Sequence, residues 1–125
     1  MRVMARSVLI VDDDPGFRSL AARILRRHGL TVVGEAADVG EGARAAQSLR
    51  PDTALVDVGL PDGNGIALAT ELSRLPWSPR VVVVSSDAQF ARVDRPGPEG
   101  TQLPFVAKQD LPDSPLHELF GSAAE

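Results

Sequence analysis

Five chemically capable side chains each stand directly after a short apolar run. Asp12 and Asp13 follow SVLIV, Asp57 follows TALV, Ser85 follows RVVVV and Lys108 follows LPFVA. An apolar run of four or five residues that stops at a polar group is the pattern of a strand ending at an edge. If the strands carrying Asp12, Asp13 and Asp57 are neighbours, their carboxylates lie within a few ångströms of one another and repel. A hard, oxygen-seeking cation such as Mg²⁺ relieves that repulsion, so a divalent-cation site is expected at this edge. Taken singly, an aspartate at the start of a loop is most often a cap or a turn former. Five such residues at matching positions are harder to account for in that way.

The elements that must position them can be read in chain order. Residues 7–11 form a buried strand. Residues 15–28 place Phe17, Leu20, Ala21, Ile24 and Leu25 at helical spacing, with Asp14 as N-cap before Pro15 and Gly29 as the stop. Residues 30–34 read as a second strand, and Asp38 can cap a helix running to about Leu49, ended by Arg50 and Pro51. A third strand covers 53–56 and stops at Asp57. The stretch GLPDGNG, residues 59–65, continues neither regular element, and Asn64 can cap a helix over 66–75. Residues 80–84 are the most β-branched run and are expected as a central strand. Residues 88–93 allow a turn or two of helix, but Pro96, Gly97, Pro98 and Gly100 forbid a long one. A fifth strand is expected over 103–107, and a last short helix from Asp113 or Ser114 through Phe120.

Strands alternating with helices imply right-handed crossovers and a parallel sheet covered on both faces. Ligands bind such sheets beyond the carboxyl ends of the strands, where the strand order reverses. The chain of 125 residues is the size of one domain, expected as residues 1–125 with a core of about 6–120. With 17 acidic and 13 basic residues the net charge is -4, which gives no electrostatic reason for direct nucleic-acid or membrane binding. The lack of cysteine excludes disulfides and thiolate chemistry. The first six residues lack the apolar stretch of a secretory signal, and no run approaches the roughly 18 apolar residues of a membrane span. A cytoplasmic protein is expected.

The motifs VLIVDDD, LVDVGLPDGNG, VVVVSS and FVAK, in that order and each at a strand end, resemble the receiver domain of bacterial two-component response regulators. The resemblance runs from Ser7 to about Phe120. It implies a doubly wound α/β fold, with a five-stranded parallel sheet in the flavodoxin-like order 2-1-3-4-5. It further implies that Asp57 accepts a phosphoryl group, that Asp13 ligates Mg²⁺ with Asp12 assisting through water, and that the Gly59 carbonyl completes the metal ligands. Ser85 and Lys108 would hold phosphoryl oxygens, and Ser85 and Phe105 would form the switch. The implied donor is a sensor histidine kinase, a phosphotransfer protein or a small acyl phosphate. The output partner is unknown, and a homodimer formed on phosphorylation is among the arrangements the resemblance allows. An ionised carboxylate needs no general base to attack phosphorus, and the chemistry calls chiefly for positioning and neutralisation of charge.

Several positions depart from the family pattern. Gln109 stands where many receivers have proline, so the cis bond often found there is not expected. Phe105 takes the switch position where tyrosine is common, and core packing is its plain alternative. The Pro/Gly-rich stretch 94–100 replaces much of the expected fourth helix, which would be short or disordered. His28 and His117 read as helix-end or surface residues, and Trp77 as cover for a helix end. Arg23, Arg26 and Arg27 give the first helix a basic side, either a solvated face or a kinase-docking face. Two other functions compete with the phosphorylation switch. One is an aspartate-nucleophile phosphohydrolase of the haloacid dehalogenase type with Asp12 as nucleophile, although Pro15 is out of place there and the chain is short. The other is a receiver-like binding module that acts without phosphorylation.

Overall fold

Strict alternation of side chains along the strands divides the core into two layers, one on each face of a single sheet. In the computed structural model, which describes residues 6–86, 103–114 and 119–120, the strands are β1 (Ser7–Val11), β2 (Thr31–Ala36), β3 (Thr53–Asp57), β4 (Arg80–Ser85) and β5 (Phe105–Ala107). All pairings are parallel, in the order β2-β1-β3-β4-β5. The helices are α1 (Pro15–Arg27), α2 (Val39–Leu49) and α3 (Gly65–Ser73), and a 3-10 helix covers Lys108–Asp113. Val8, Ile10, Leu55, Val82, Val84 and Val106 face α1, where they pack with Phe17, Ala21, Leu25 and Phe120. Leu9, Val11, Ala54, Val56, Val81 and Val83 face the other way, onto Ala46, Leu68 and Leu72 of α2 and α3. No helix among the described residues is long and apolar enough to cross a membrane.

The helix starts follow the expected caps. Asp14 accepts from Gly16 N–H, Asp38 from Glu41 N–H at 2.7 Å, and Asn64 from Ile66 N–H at 2.8 Å. Gly29, at φ 86°, ends α1 in a conformation that costs glycine little. Trp77 covers the loop after α2, as expected of it. Its indole N–H donates to Pro51 O at 2.9 Å and its ring lies 4.5 Å from the Arg50 guanidinium carbon.

Four boundaries differ from expectation by two residues or more. β2 runs on to Ala36, past Gly34 where its apolar run ends, and a register shift between Val8 and Leu9 of β1 leaves Val33 unpaired. α3 stops at Ser73 instead of 75. Arg74 and Leu75 N–H turn back to the third residue before them, and Pro76 disfavours helix at its predecessor. β5 begins at Phe105, since Pro104 has no N–H, although its carbonyl still accepts from Val83. The helix expected from 113 or 114 is preceded by the unforeseen 3-10 helix. Leu119 and Phe120 are helical, and residues 115–118, with His117, lie outside the described residues. The short fourth helix expected near 88–93 also lies outside them, as does the Pro/Gly-rich stretch. No cis peptide bond occurs among the described residues.

Candidate functional site

The sheet order puts β1 between β2 and β3, so the chain leaves β1 in one direction and returns on the other side. A crevice opens at such a reversal, at the carboxyl ends of the two strands. The residues there are Asp12, Asp13 and Asp57. One carboxylate oxygen from each lies within 4.8 Å of the others. Asp12 is fully buried and Asp57 nearly so, whereas Asp13 is exposed. The register pairs Asp57 with Val84, so Ser85 follows on the neighbouring strand, buried and paired with Ala107 of β5. Lys108 is next along the chain.

Lys108 reaches over this cluster. Its ammonium lies 2.7 Å from Asp12 Oδ2 and 3.6 Å from Asp57 Oδ2, and 4.6 Å from the centre of the Phe17 ring. The 2.7 Å contact is an ion pair outside hydrogen-bond geometry, and Asp12 Oδ2 has no hydrogen-bond donor among the described residues. Asp12 Oδ1 accepts from Asp14 N–H at 2.9 Å. Asp57 Oδ1 receives a longer bond, 3.3 Å, from Gly59 N–H.

These surroundings set the protonation of the site. Burial, and then the charge of Asp12, push the Asp57 carboxyl above its ordinary value, while Lys108 and the Gly59 N–H oppose them. Burial pulls the Lys108 ammonium down, but its contacts with Asp12 and Asp57 outweigh this and hold it above the ordinary lysine value. Three carboxylates face a single ammonium here, and one of them is disfavoured as an anion, so the cluster is short of positive charge. The donor set is all oxygen, which suits Mg²⁺ better than softer metals. The residues present therefore fit the implied cation.

The loop after β3 is fixed by backbone proximity. A Cβ on Gly65 would stand 1.8 Å from the Asp57 carbonyl oxygen, and Gly65 N–H donates to Val58 O. Only glycine lets the start of α3 approach the backbone of Asp57 so closely. Gly65→Ala is accordingly expected to lower stability by about 1–3 kcal/mol, as overpacking does, and to displace Asp57. Denaturant unfolding and the backbone amide shifts of residues 57–59 would check it. An unchanged midpoint would show that the loop yields freely.

The chain spans about half the length of curated relatives that it matches. The model of the "Response regulator receiver domain" family matches residues 8–96. The chain belongs to this family. Among curated relatives, the transcriptional regulatory protein PdtaR of Mycobacterium tuberculosis is 32% identical over 108 residues, which is 86% of this chain and 52% of the relative. The chemotaxis protein CheY of Thermotoga maritima is 32% identical over 90 residues, 72% of this chain and 75% of the relative. A LuxR-family two-component response regulator from Aurantimonas sp. SI85-9A1 superposes with a TM-score of 0.74 at 28% identity, covering 90% of this chain and 81% of that one.

The receiver site thus gathers Asp12, Asp13, Asp57 and Lys108 in direct proximity, with Gly59 and Ser85 beside them. Phe105 sits apart, half-buried on β5 and packed with the α2/α3 layer. Arg23, Arg26 and Arg27 line a different feature, a cleft of about 490 Å³ shared with Ser19, Ala22 and Glu35. Sequence reading passed over two residues near the site. Phe17 was assigned to the core alone, yet its ring also supports the Lys108 ammonium. Arg18 donates to the Asp12 carbonyl oxygen at 2.5 Å and to Glu35 at 3.0 Å, bracing the end of β1 against β2. Its helical position on α1 carried no signal of either role.

Proposed function

We propose that this receiver domain is a phosphorylation-controlled switch of a two-component pathway, with Asp57 accepting the phosphoryl group. The observation that carries the reading is the pairing of a nearly buried, charge-disfavoured carboxylate with a lysine ammonium 3.6 Å away, inside a cluster of three aspartates. The donor is the phosphohistidine of a sensor histidine kinase or a phosphotransfer protein, or a small acyl phosphate. An Asp57 oxygen attacks phosphorus and forms an O–P bond. The N–P bond to the donor imidazole, or the O–P bond of the acyl phosphate, breaks with its electron pair leaving on the donor.

Asp12, Asp13, Asp57 and the Gly59 carbonyl would hold Mg²⁺, with Asp12 contributing through water. When bound, the cation neutralises charge shared between these carboxylates and the phosphoryl oxygens. Lys108, already poised over Asp12 and Asp57, supplies a second positive charge. Ser85, at the end of the adjacent strand, donates its hydroxyl to a phosphoryl oxygen. The added group brings nearly two negative charges and three acceptor oxygens, so Ser85 and Lys108 follow it and carry the strands β4 and β5 with them toward a second state. Phe105, at the start of β5 and paired with Val83 of β4, is the aromatic that senses the shift. The reading sets the protein in the cytoplasm and leaves its output partner open.

Asp13→Ala tests the metal half of the reading. Mg²⁺ affinity should fall at least as far as the ~10–100-fold typical of losing an outer partner of a metal site. Metal-free stability should hold or rise, because one of three clustered like charges is gone. Calorimetric titration and thermal melts in chelator read the two effects, and unchanged Mg²⁺ affinity would remove Asp13 from the site.

A further inference from the structure

α2 begins with four N–H groups that no turn of its own can satisfy. Gly42 N–H makes the first intrahelical bond, to the carbonyl of the N-cap Asp38, whose side chain accepts from Glu41 N–H, while Glu41 reaches back to Ala37 N–H at 2.9 Å. Within the helix proper this leaves the first two N–H groups, those of Val39 and Gly40. Both are taken by one carboxylate from a distant loop: Asp62 Oδ1 accepts from Val39 N–H at 2.7 Å and Asp62 Oδ2 from Gly40 N–H at 3.2 Å. Gly63 completes the docking, for a Cβ there would stand 3.2 Å from a Val39 methyl. The Val39 N–H bond, with lesser help from Gly40 and Arg44, holds the Asp62 carboxyl below its ordinary value, so the tether is made by the anion.

Asp62 belongs to the loop that joins Asp57 to α3. Gly59, Pro61, Asp62, Gly63 and Asn64 are all exposed, and only Leu60 is driven into the core. A loop so rich in turn formers and so poor in burial is not held by packing alone. Its far end is fixed by Asn64 and Gly65, and its middle by Asp62. We propose that Asp62 is a positioning residue for the metal-binding edge of the phosphoacceptor site: by binding the two open N–H groups of α2 it fixes the loop that presents the Gly59 carbonyl beside Asp57. The proposal rests on the Mg²⁺ reading given above and extends it to a side chain that touches neither the metal nor the phosphoryl group.

The test compares Asp62→Ala with Asp38→Ala, which removes a cap from the same helix end without releasing the loop. Both variants should melt earlier than the wild type. Only Asp62→Ala should weaken Mg²⁺ binding, by roughly 10-fold, the scale on which outer partners act. In metal-free protein it should also speed amide hydrogen exchange across residues 58–64, which Asp38→Ala should leave near wild type. Wild-type Mg²⁺ affinity in Asp62→Ala, or an equal loss in Asp38→Ala, would overturn the positioning role. If the wild type itself takes up no Mg²⁺, the metal reading fails along with the positioning role. The exchange comparison does not depend on metal, and unchanged loop exchange in Asp62→Ala would overturn the tether by itself.

Discussion

Asp57→Asn is expected to fold, to gain stability in the absence of metal, and to accept no phosphoryl group from acetyl phosphate or a phosphorylated kinase. The substitution hardly changes volume, so the packing around β3 survives. An amide is not a nucleophile toward phosphorus, so labelling should drop to background. The stability gain follows from the raised carboxyl of Asp57. Between the unfolded value of about 3.9 and the raised folded value, the native state holds more protons than the unfolded state. Stability therefore falls as pH rises through that window, and the loss persists at neutral pH. The variant lacks this contribution. Asp62, whose carboxyl is held low, works in the opposite sense: its contribution is present above the unfolded value and is lost as pH falls through the lower, folded one. Urea midpoints of wild type and variant across the acid range should diverge as pH rises, with the variant the more stable. Parallel curves would mean that Asp57 is not held above its ordinary value.

Lys108→Ala is expected to have the largest effect on the metal-free fold. Asp12 is fully buried, and among the described residues the Lys108 ammonium is the one cation paired with its Oδ2. Removing one member of a buried pair strands the other charge at a cost of roughly 3–5 kcal/mol. The ammonium is still partly reached by solvent, so the lower end, about 3 kcal/mol, is expected. Loss of the contact with the Phe17 ring adds about 0.5–1 kcal/mol. Mg²⁺ should then stabilise the variant more than the wild type, since the cation meets the same carboxylates without a competing ammonium. Phosphoryl transfer should nonetheless slow by about 10²–10³-fold, the usual loss when one fixed countercharge is removed from a transition state. Thermal melts with and without Mg²⁺, and labelling rates at saturating Mg²⁺, read the two effects. An equal Mg²⁺ shift in both proteins would show that Lys108 does not share the carboxylates with the cation.

The order of elements was legible because strands buried on both faces leave unbroken apolar runs, and because Asp14, Asp38 and Asn64 announce helix starts by residue type alone. The edge strand β2 is cut short in the sequence, since one of its faces is wet and Gly34 and the charged Glu35 end its apolar run before Ala36. The 3-10 helix after Lys108 carried no periodic signal, and its only fully buried residue is Leu111. The clustering of Asp12, Asp13, Asp57 and Lys108 was legible, for each stands at or just past a strand end and the sheet order brings those ends together. What supports them was not. Arg18 and Asp62 act across 6 to 23 positions in sequence, on backbone atoms that every residue possesses, so no residue type marks the partner. Asp62 in particular reads as one more turn former in GLPDGNG, and its reach to α2 exists only once the fold is formed.

The central claim is that Asp57 is the phosphoacceptor, and the most direct measurement is the mass of the wild-type chain after incubation with acetyl phosphate, with and without Mg²⁺, followed by peptide mapping of any adduct. One phosphoryl group per chain is expected, dependent on Mg²⁺, carried by the peptide that contains Asp57 and absent from Asp57→Asn. No adduct, an adduct independent of Mg²⁺, or one carried by the peptide that contains Asp12 would contradict the account, and the last would favour a phosphohydrolase-like use of the same carboxylates.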